Sequence, residues 1–166
     1  MYRLKEATKK HEWELPLLND PGDKWNYGPS TAVLGTIVEK ISGEPLEAYF
    51  QQHIFAPLGM VDTSYAVPLA KQSRVATEHS RINCVLQEQP QEPIPATPTA
   101  PFRGDCCLYS TAQDYGKFIQ MLLNGGLLGP AKILSENSVR MMGENNIGSI
   151  FVELQRAADP SPNRFR

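Results

Sequence analysis

One eleven-residue stretch limits what this chain can become: Asp20-Pro21-Gly22-Asp23-Lys24-Trp25-Asn26-Tyr27-Gly28-Pro29-Ser30, followed directly by an apolar helical pattern from Thr31 to Ile41. Pro21 presets φ for the second position of a β-turn, and Gly22 supplies the positive φ that a type II turn needs at its third. The chain must reverse there. Tyr27 then falls between Gly28-Pro29 and the turn, in backbone too rich in glycine and proline to be regular and immediately ahead of a strong helix. Such a segment presents its side chain at the mouth of the helix.

From Ser30, the residues Val33, Leu34, Ile37, Val38 and Ile41 recur at helical spacing and are expected to form the buried side. Ser30 is the expected N-cap, and Gly43 stands where a C′ glycine belongs. Glu44-Pro45 restarts the chain with proline in the first turn. A second stripe, Leu46, Tyr49, Phe50, His53 and Ile54, is expected to end at Pro57 and Gly59. His53 on that face reads as a packed or capping residue rather than a catalyst. Ser110 or Thr111 caps a third helix, with Gln113 or Asp114 completing a capping box. Its buried face is expected to be Tyr115, Phe118, Ile119, Leu122 and Leu123, up to Gly125-Gly126. After a Gly129-Pro130 turn, Ser135 caps a last short helix that carries Met141 and Met142. Between these helices, Tyr65-Ala66-Val67 and Asn83-Cys84-Val85-Leu86 read as short strands. Residues 87–101 hold Pro90, Pro93, Pro95, Pro98 and Pro101, which impose extended backbone. Pro98-x-x-Pro101-x-Arg103 matches the form of a ligand for a proline-binding groove, but the plain surface loop is the expected reading. Residues 2–14 suit a surface helix of modest quality.

A length of 166 residues suffices for one core, with roughly 70% of the unfolded surface available for burial. A net charge of −2 with scattered basic residues argues against nucleic acid as a partner. No apolar run reaches the ~18 residues of a membrane span, and the first residues lack a signal-peptide core. No membrane partner is therefore expected, and a soluble, cytoplasmic protein is the default. The three cysteines, Cys84, Cys106 and Cys107, make no disulfide framework and match no zinc spacing, so no metal is expected. Adjacent Cys106-Cys107 can in principle bridge, but small buried thiols are the commoner state and the expected one.

Pro21-Gly22-x-x-Trp25-x-Tyr27-Gly28-x-Ser30, then Leu34-Gly35, Val38-Glu39, Ser42-Gly43, Phe50 and Pro57-Leu58-Gly59-Met60, resembles the beta-lactamase-related serine hydrolases, nearest to the family VIII esterases. Leu108-Tyr109-Ser110-Thr111-Ala112-x-Asp114-Tyr115, Met121-Leu122-Leu123-Asn124-Gly125-Gly126, Ile133-Leu134-Ser135 and Met141-Met142 resemble a later block of the same family. The resemblance implies a mainly α chain: the helical lobe of the α/β beta-lactamase/transpeptidase-like fold, with most of the central sheet missing. Residues 1–144 would form this helical region, including the proline-rich loop 87–101, and 145–166 an irregular tail, the whole an internal fragment.

The resemblance also implies roles. Tyr27 matches the family's motif tyrosine, the general base on a serine nucleophile. Pro29 stands where the lactamase branch has asparagine, which favours ester over lactam chemistry. Asp105 and Cys106 replace part of a glycine run ahead of Leu108, and with Pro29 they would line the substrate side. A small ester is the implied substrate of a complete family member, with no cofactor. No serine here has lysine three residues on, and neither Lys-Thr-Gly nor His-x-Gly occurs. One of three catalytic motifs is present, so the chain alone is expected to be inactive. The contrasting expectation is a non-catalytic binding module built from the same lobe. Helical stripes meant to cover a sheet would leave apolar surface exposed and favour self-association.

Overall fold

The computed structural model describes residues 17 and 19–151. The expected helix over 2–14 and the tail from 152 onward lie outside the described residues. Within them the turn is present: the Asp23 backbone N–H donates to the Asp20 carbonyl at 3.2 Å, and Gly22 has φ of +94°. Helix α1 is Ser30–Ser42. It starts one residue earlier than expected, because Pro29 rather than Ser30 is the N-cap and no side chain caps the helix. The Pro29 carbonyl accepts the first intrahelical bond, from Val33 N–H at 3.1 Å. At the other end Gly43 takes the left-handed conformation and donates to the Glu39 carbonyl.

A continuous helical rod over 46–58 follows, built of α2 Leu46–Phe50, a π-helical segment Gln51–Phe55 and α3 Ala56–Leu58. Pro45 sits just outside it with extended backbone. The Leu46 N–H at its start is satisfied by Glu39 Oε1 at 2.8 Å, so α1 caps α2 across the corner. Pro57 does not end the rod as expected. Proline has no N–H to give the preceding turn, and the wide π segment lies directly ahead of it. Only Gly59 stops the helix.

The expected strands fall elsewhere. Residues 65–67 are buried but form no strand; next to them a single antiparallel bridge joins Ser64 to Tyr109. After a 3₁₀ turn at Leu69–Arg74, β1 His79–Ile82 pairs antiparallel with β2 Val85–Glu88, His79 opposite Glu88 and Ile82 opposite Val85. Asn83 and Cys84, expected inside a strand, are its two turn residues, with φ of 49° and 65°. Both positive values are what a two-residue type I′ hairpin needs, and asparagine supplies the first at little cost. The proline-rich segment is mostly exposed yet pinned: Pro95 O accepts the Val67 N–H at 2.8 Å, and Gln72 Nε2 donates to Ile94 O and Val67 O.

Helix α4, Ala112–Leu123, is capped by Thr111, whose hydroxyl accepts the Asp114 N–H. A small hairpin, β3 Leu127–Leu128 with β4 Ala131–Lys132, turns at Gly129-Pro130. Helix α5, Glu136–Met142, is capped by Ser135 through Ser138 N–H at 3.0 Å. The two hairpins are the only sheets among the described residues, whose regular structure is mainly α.

The core joins the end of the rod to α4: Phe55, Leu58, Met60 and Met121, with Phe50, Phe118 and Leu122 packed around them. Phe50 stacks on Tyr65 and Tyr65 meets Phe102, which extends this core toward the loop before α4. Two helix faces differ from expectation. On α1 the buried residues are the small Ala32 and Gly35, while Leu34, Ile37 and Ile41 are exposed, Ile41 by 82%. Small residues face in because a loop backbone crosses α1 there. On α4 the buried residues are Asp114 and Met121, and Tyr115, Ile119 and Leu123 are exposed. Hydrogen bonds to the Asp114 carboxylate turn that face inward.

Candidate active site

Tyr27 reaches the solvent at the N-terminal mouth of α1, 77% exposed. Its ring lies 6.4 Å from that of Trp25, tilted by 49°, and its hydroxyl bonds to no other described residue. Pro29, half-buried, forms the first step of the helix beneath it. The phenol is therefore presented by a short irregular arm on a rigid support.

The loop before α4 also meets α1. Gly104 lies against the first turns of α1, and a Cβ there would collide with the Thr31 carbonyl oxygen and with the Gly35 backbone. Only a residue without a side chain permits this crossing. On either side of it the chain is held by polar bonds. The Tyr65 hydroxyl donates to the Arg103 carbonyl at 2.7 Å. Arg103 grips Asp105 with a two-bond fork, Nε to Oδ1 at 2.9 Å and Nη2 to Oδ2 at 2.8 Å. Those bonds hold the Asp105 carboxyl below its ordinary range. Burial pushes the Tyr65 phenol up to about 12, so it stays a donor.

Cys106 and Cys107 are not buried thiols. Both are exposed and bonded to each other, because the loop leaves α1 after Gly104 and nothing described covers them. Pro29 caps α1 and Gly104 lies against its first turns, so Tyr27 and the loop carrying Asp105 and Cys106 are each tied to this helix. No hydrogen bond or ring contact joins Tyr27 to Asp105 or Cys106 among the described residues. His53 pairs elsewhere; its Nε2 lies 3.5 Å from Glu44 Oε2 and its ring 4.5 Å from Tyr49.

A second cluster escaped the sequence reading. Asp114, 2% exposed, accepts the Asp62 N–H at 2.7 Å and the Thr63 hydroxyl at 3.2 Å on Oδ2, and Lys117 Nζ at 3.1 Å on Oδ1. Burial alone would raise its carboxyl, but the Asp62 N–H, Lys117 and Thr63 outweigh this and hold it below the usual range. Asp62 in turn pairs with Lys71 at 2.5 Å and Arg74 at 2.8 Å, whose hydrogen bonds lower it to about 2. The cluster is fully paired and locks residues 60–64 onto α4. It supports the core side of the loop rather than any chemistry. Asp114 four residues after Ser110, with Lys117 one turn on, was a legible trace, but it reads equally as an ordinary helix start.

No group of three or more His, Cys, Asp or Glu able to hold a metal occurs among the described residues, and no described helix is long and apolar enough to cross a membrane. What these residues offer is a presented phenol at a helix mouth and an exposed loop held against the same helix.

A beta-lactamase family profile matches residues 10–154. Protein Rv1367c of Mycobacterium tuberculosis is 36% identical over 133 residues, which cover 77% of this chain and 32% of that protein. Lovastatin esterase of Penicillium rubens is 29% identical over 161 residues, covering 89% of this chain and 37% of the esterase. Among solved structures, the LovD9 mutant of simvastatin synthase from Aspergillus terreus superposes with a TM-score of 0.64 at 26% identity, over 84% of this chain and 33% of that one. The chain spans about a third of the length of the curated relatives it matches. Its helices superpose on part of the beta-lactamase/transpeptidase-like fold, and two of the proteins it resembles are by name an esterase and a synthase. On the match over residues 10–154, this chain belongs to the beta-lactamase family.

Proposed function

We propose that these residues are the helical lobe of a serine acyl-transfer enzyme acting on small esters, in which Tyr27 is the general base. The observation that carries the reading is the Tyr27 phenol, exposed at the mouth of α1 and without a hydrogen-bond partner among the described residues. A buried structural tyrosine would have its hydroxyl paired. Here the oxygen is available, once ionised to phenolate, to take the proton from a serine hydroxyl as that serine attacks an ester carbonyl, and later to give it to the departing alcohol. Pro29 offers no side-chain amide for a lactam, which supports the ester reading. Asp105 and Cys106 would form the facing wall of the substrate cleft.

Ser-x-x-Lys is absent from these 166 residues. A positioned base is worth roughly 10² to 10⁴ in rate, whereas loss of a serine nucleophile costs on the order of 10⁶ in turnover. The chain by itself is therefore inactive on this reading, and the nucleophile comes from sequence outside it.

The test begins with the coding DNA on both sides. If Ser-x-x-Lys lies upstream in frame, the complete protein should hydrolyse a short-chain nitrophenyl ester, and Tyr27→Phe should remove that turnover without unfolding it. Full turnover in Tyr27→Phe would end the assignment. The exposed Leu34, Ile37 and Ile41 of α1 favour a second reading, a non-catalytic module that binds a partner through this face. A cooperative thermal melt of the isolated chain, with no in-frame nucleophile in the flanking DNA, would select it.

A further inference from the structure

Cys106 and Cys107 form a bridge between sequence neighbours. A disulfide stabilises a fold chiefly by closing a loop in the unfolded chain, and the effect grows with loop length. A bridge that encloses no intervening residue contributes almost nothing of that kind. Global stability does not account for it.

What it fixes is local. Upstream the loop is held by Gly104 against α1, by the Tyr65 hydroxyl on Arg103 O and by the Arg103–Asp105 fork. Downstream it is held by the two backbone bonds between Tyr109 and Ser64, at 2.8 and 3.1 Å. Between these anchors, residues 106–108 are exposed, and Cys107 has φ of +81°, a backbone region that a residue with a side chain seldom occupies unless held there. The disulfide is the covalent restraint in this span.

We propose that Cys106–Cys107 is a reversible two-electron redox site that sets the path of residues 105–108, the loop beside the helix mouth that presents Tyr27. The reductant is a small or protein dithiol. One of its thiolates attacks one cysteine sulfur, the S–S bond breaks, and the other cysteine leaves as a thiolate that takes up a proton. The second thiol of the reductant then attacks the mixed disulfide, releasing the first cysteine as a thiol and the reductant as its own disulfide. Two electrons and two protons pass to the protein, and an oxidised dithiol reverses the step. Exposure of both sulfurs gives the reagent its access. Once reduced, the loop relaxes between its anchors while the Asp114 cluster beyond Tyr109 stays closed. The redox assignment stands without the role given to Tyr27; only its consequence for ester turnover depends on that reading.

The experiment is a thiol titration of the natively folded chain, purified without reductant, paired with limited subtilisin cleavage mapped by mass spectrometry before and after dithiothreitol. With three cysteines in the chain and two bridged, one thiol should react before reduction, Cys84, and three after it. Cleavage within 105–108 should be faster after reduction, on the order of tenfold or more, with α4 left intact. The double variant Cys106→Ser/Cys107→Ser should give one thiol in both states, be cut rapidly in both, and lose the reductant effect on cleavage. Three reactive thiols before reduction would overturn the proposal, as would a bridge whose reduction leaves cleavage at 105–108 unaltered. Neither result bears on whether Tyr27 is a base.

Discussion

The backbones of Gly35 and Gly104 pass so closely that a Cβ on Gly35 would stand 2.9 Å from the Gly104 nitrogen, and equally near the Leu46 side chain. This contact seats the loop before α4 on α1. Gly104→Ala should be the sharper probe, because its new methyl would meet the Thr31 carbonyl, which the helix cannot move aside. A loss on the order of 2 kcal/mol is expected, in the range of overpacked sites. Urea unfolding of the variant checks it; an unchanged midpoint would show that the loop does not cross α1 there.

Asp114→Ala strips the Asp62 N–H of its acceptor and removes one of two partners from the Thr63 hydroxyl, which keeps Ser110, and from Lys117, which keeps the Gly59 carbonyl. A buried donor left unpaired is costly, and destabilisation of about 2 kcal/mol is expected. Asp114→Asn keeps one acceptor oxygen but no charge and should fall between the two. Thermal melts of the three proteins should rank in that order.

Acid should weaken the same junction. Asp62 and Asp114 both hold their protons less tightly when folded than when unfolded, Asp62 down to about 2. Their contribution is complete above the unfolded carboxylate value near pH 4 and drains away as pH falls toward 2. Denaturant midpoints measured across that interval should drop. The drop should be smaller in Arg74→Met, which removes the strongest cause of the Asp62 shift while leaving its partner Lys71.

Tyr27→Phe should leave stability within about 0.5 kcal/mol, since the exposed hydroxyl makes no bond to a described residue. A clearly lower melting temperature would mean that the phenol is structural.

The outward face of α1 predicts sticky behaviour. Leu34, Ile37 and Ile41 are neighbours on the helix and all exposed. The isolated chain should bind a hydrophobic dye and self-associate, and Leu34→Glu/Ile41→Glu should suppress both without shifting the melt. A monodisperse wild-type chain that leaves the dye dark would refute this.

Local signals in the sequence were legible wherever one or two residues decide the backbone. The type II turn at Gly22, the stop at Gly43 and the caps Thr111 and Ser135 are of this kind. Helix faces were less so. The stripe on α1 has the right period, but which side is buried depends on what crosses the helix, and that is a glycine some seventy residues away. On α4 a polar residue, Asp114, decided the inward side, which apolar periodicity cannot register. The hairpin at Asn83-Cys84 was hidden because its strands are exposed on both faces and show no alternation. The pairing of Cys106 with Cys107 depended on exposure, which composition does not reveal. Of the candidate site, Tyr27 and Pro29 were legible through a motif. The arrangement of Asp105 and Cys106 was not, because it follows from the crossing at Gly104.

The β1–β2 hairpin has a separate practical meaning. All eight strand residues are exposed, and its tip, Asn83-Cys84, lies in a two-residue turn away from the core. It is an outrigger whose length can change without disturbing anything beneath it. Cys84 there is already a free, exposed thiol, so a fluorophore attached at this one point would report on the molecule's tumbling and partners while leaving Tyr27 and the loop at Gly104 untouched.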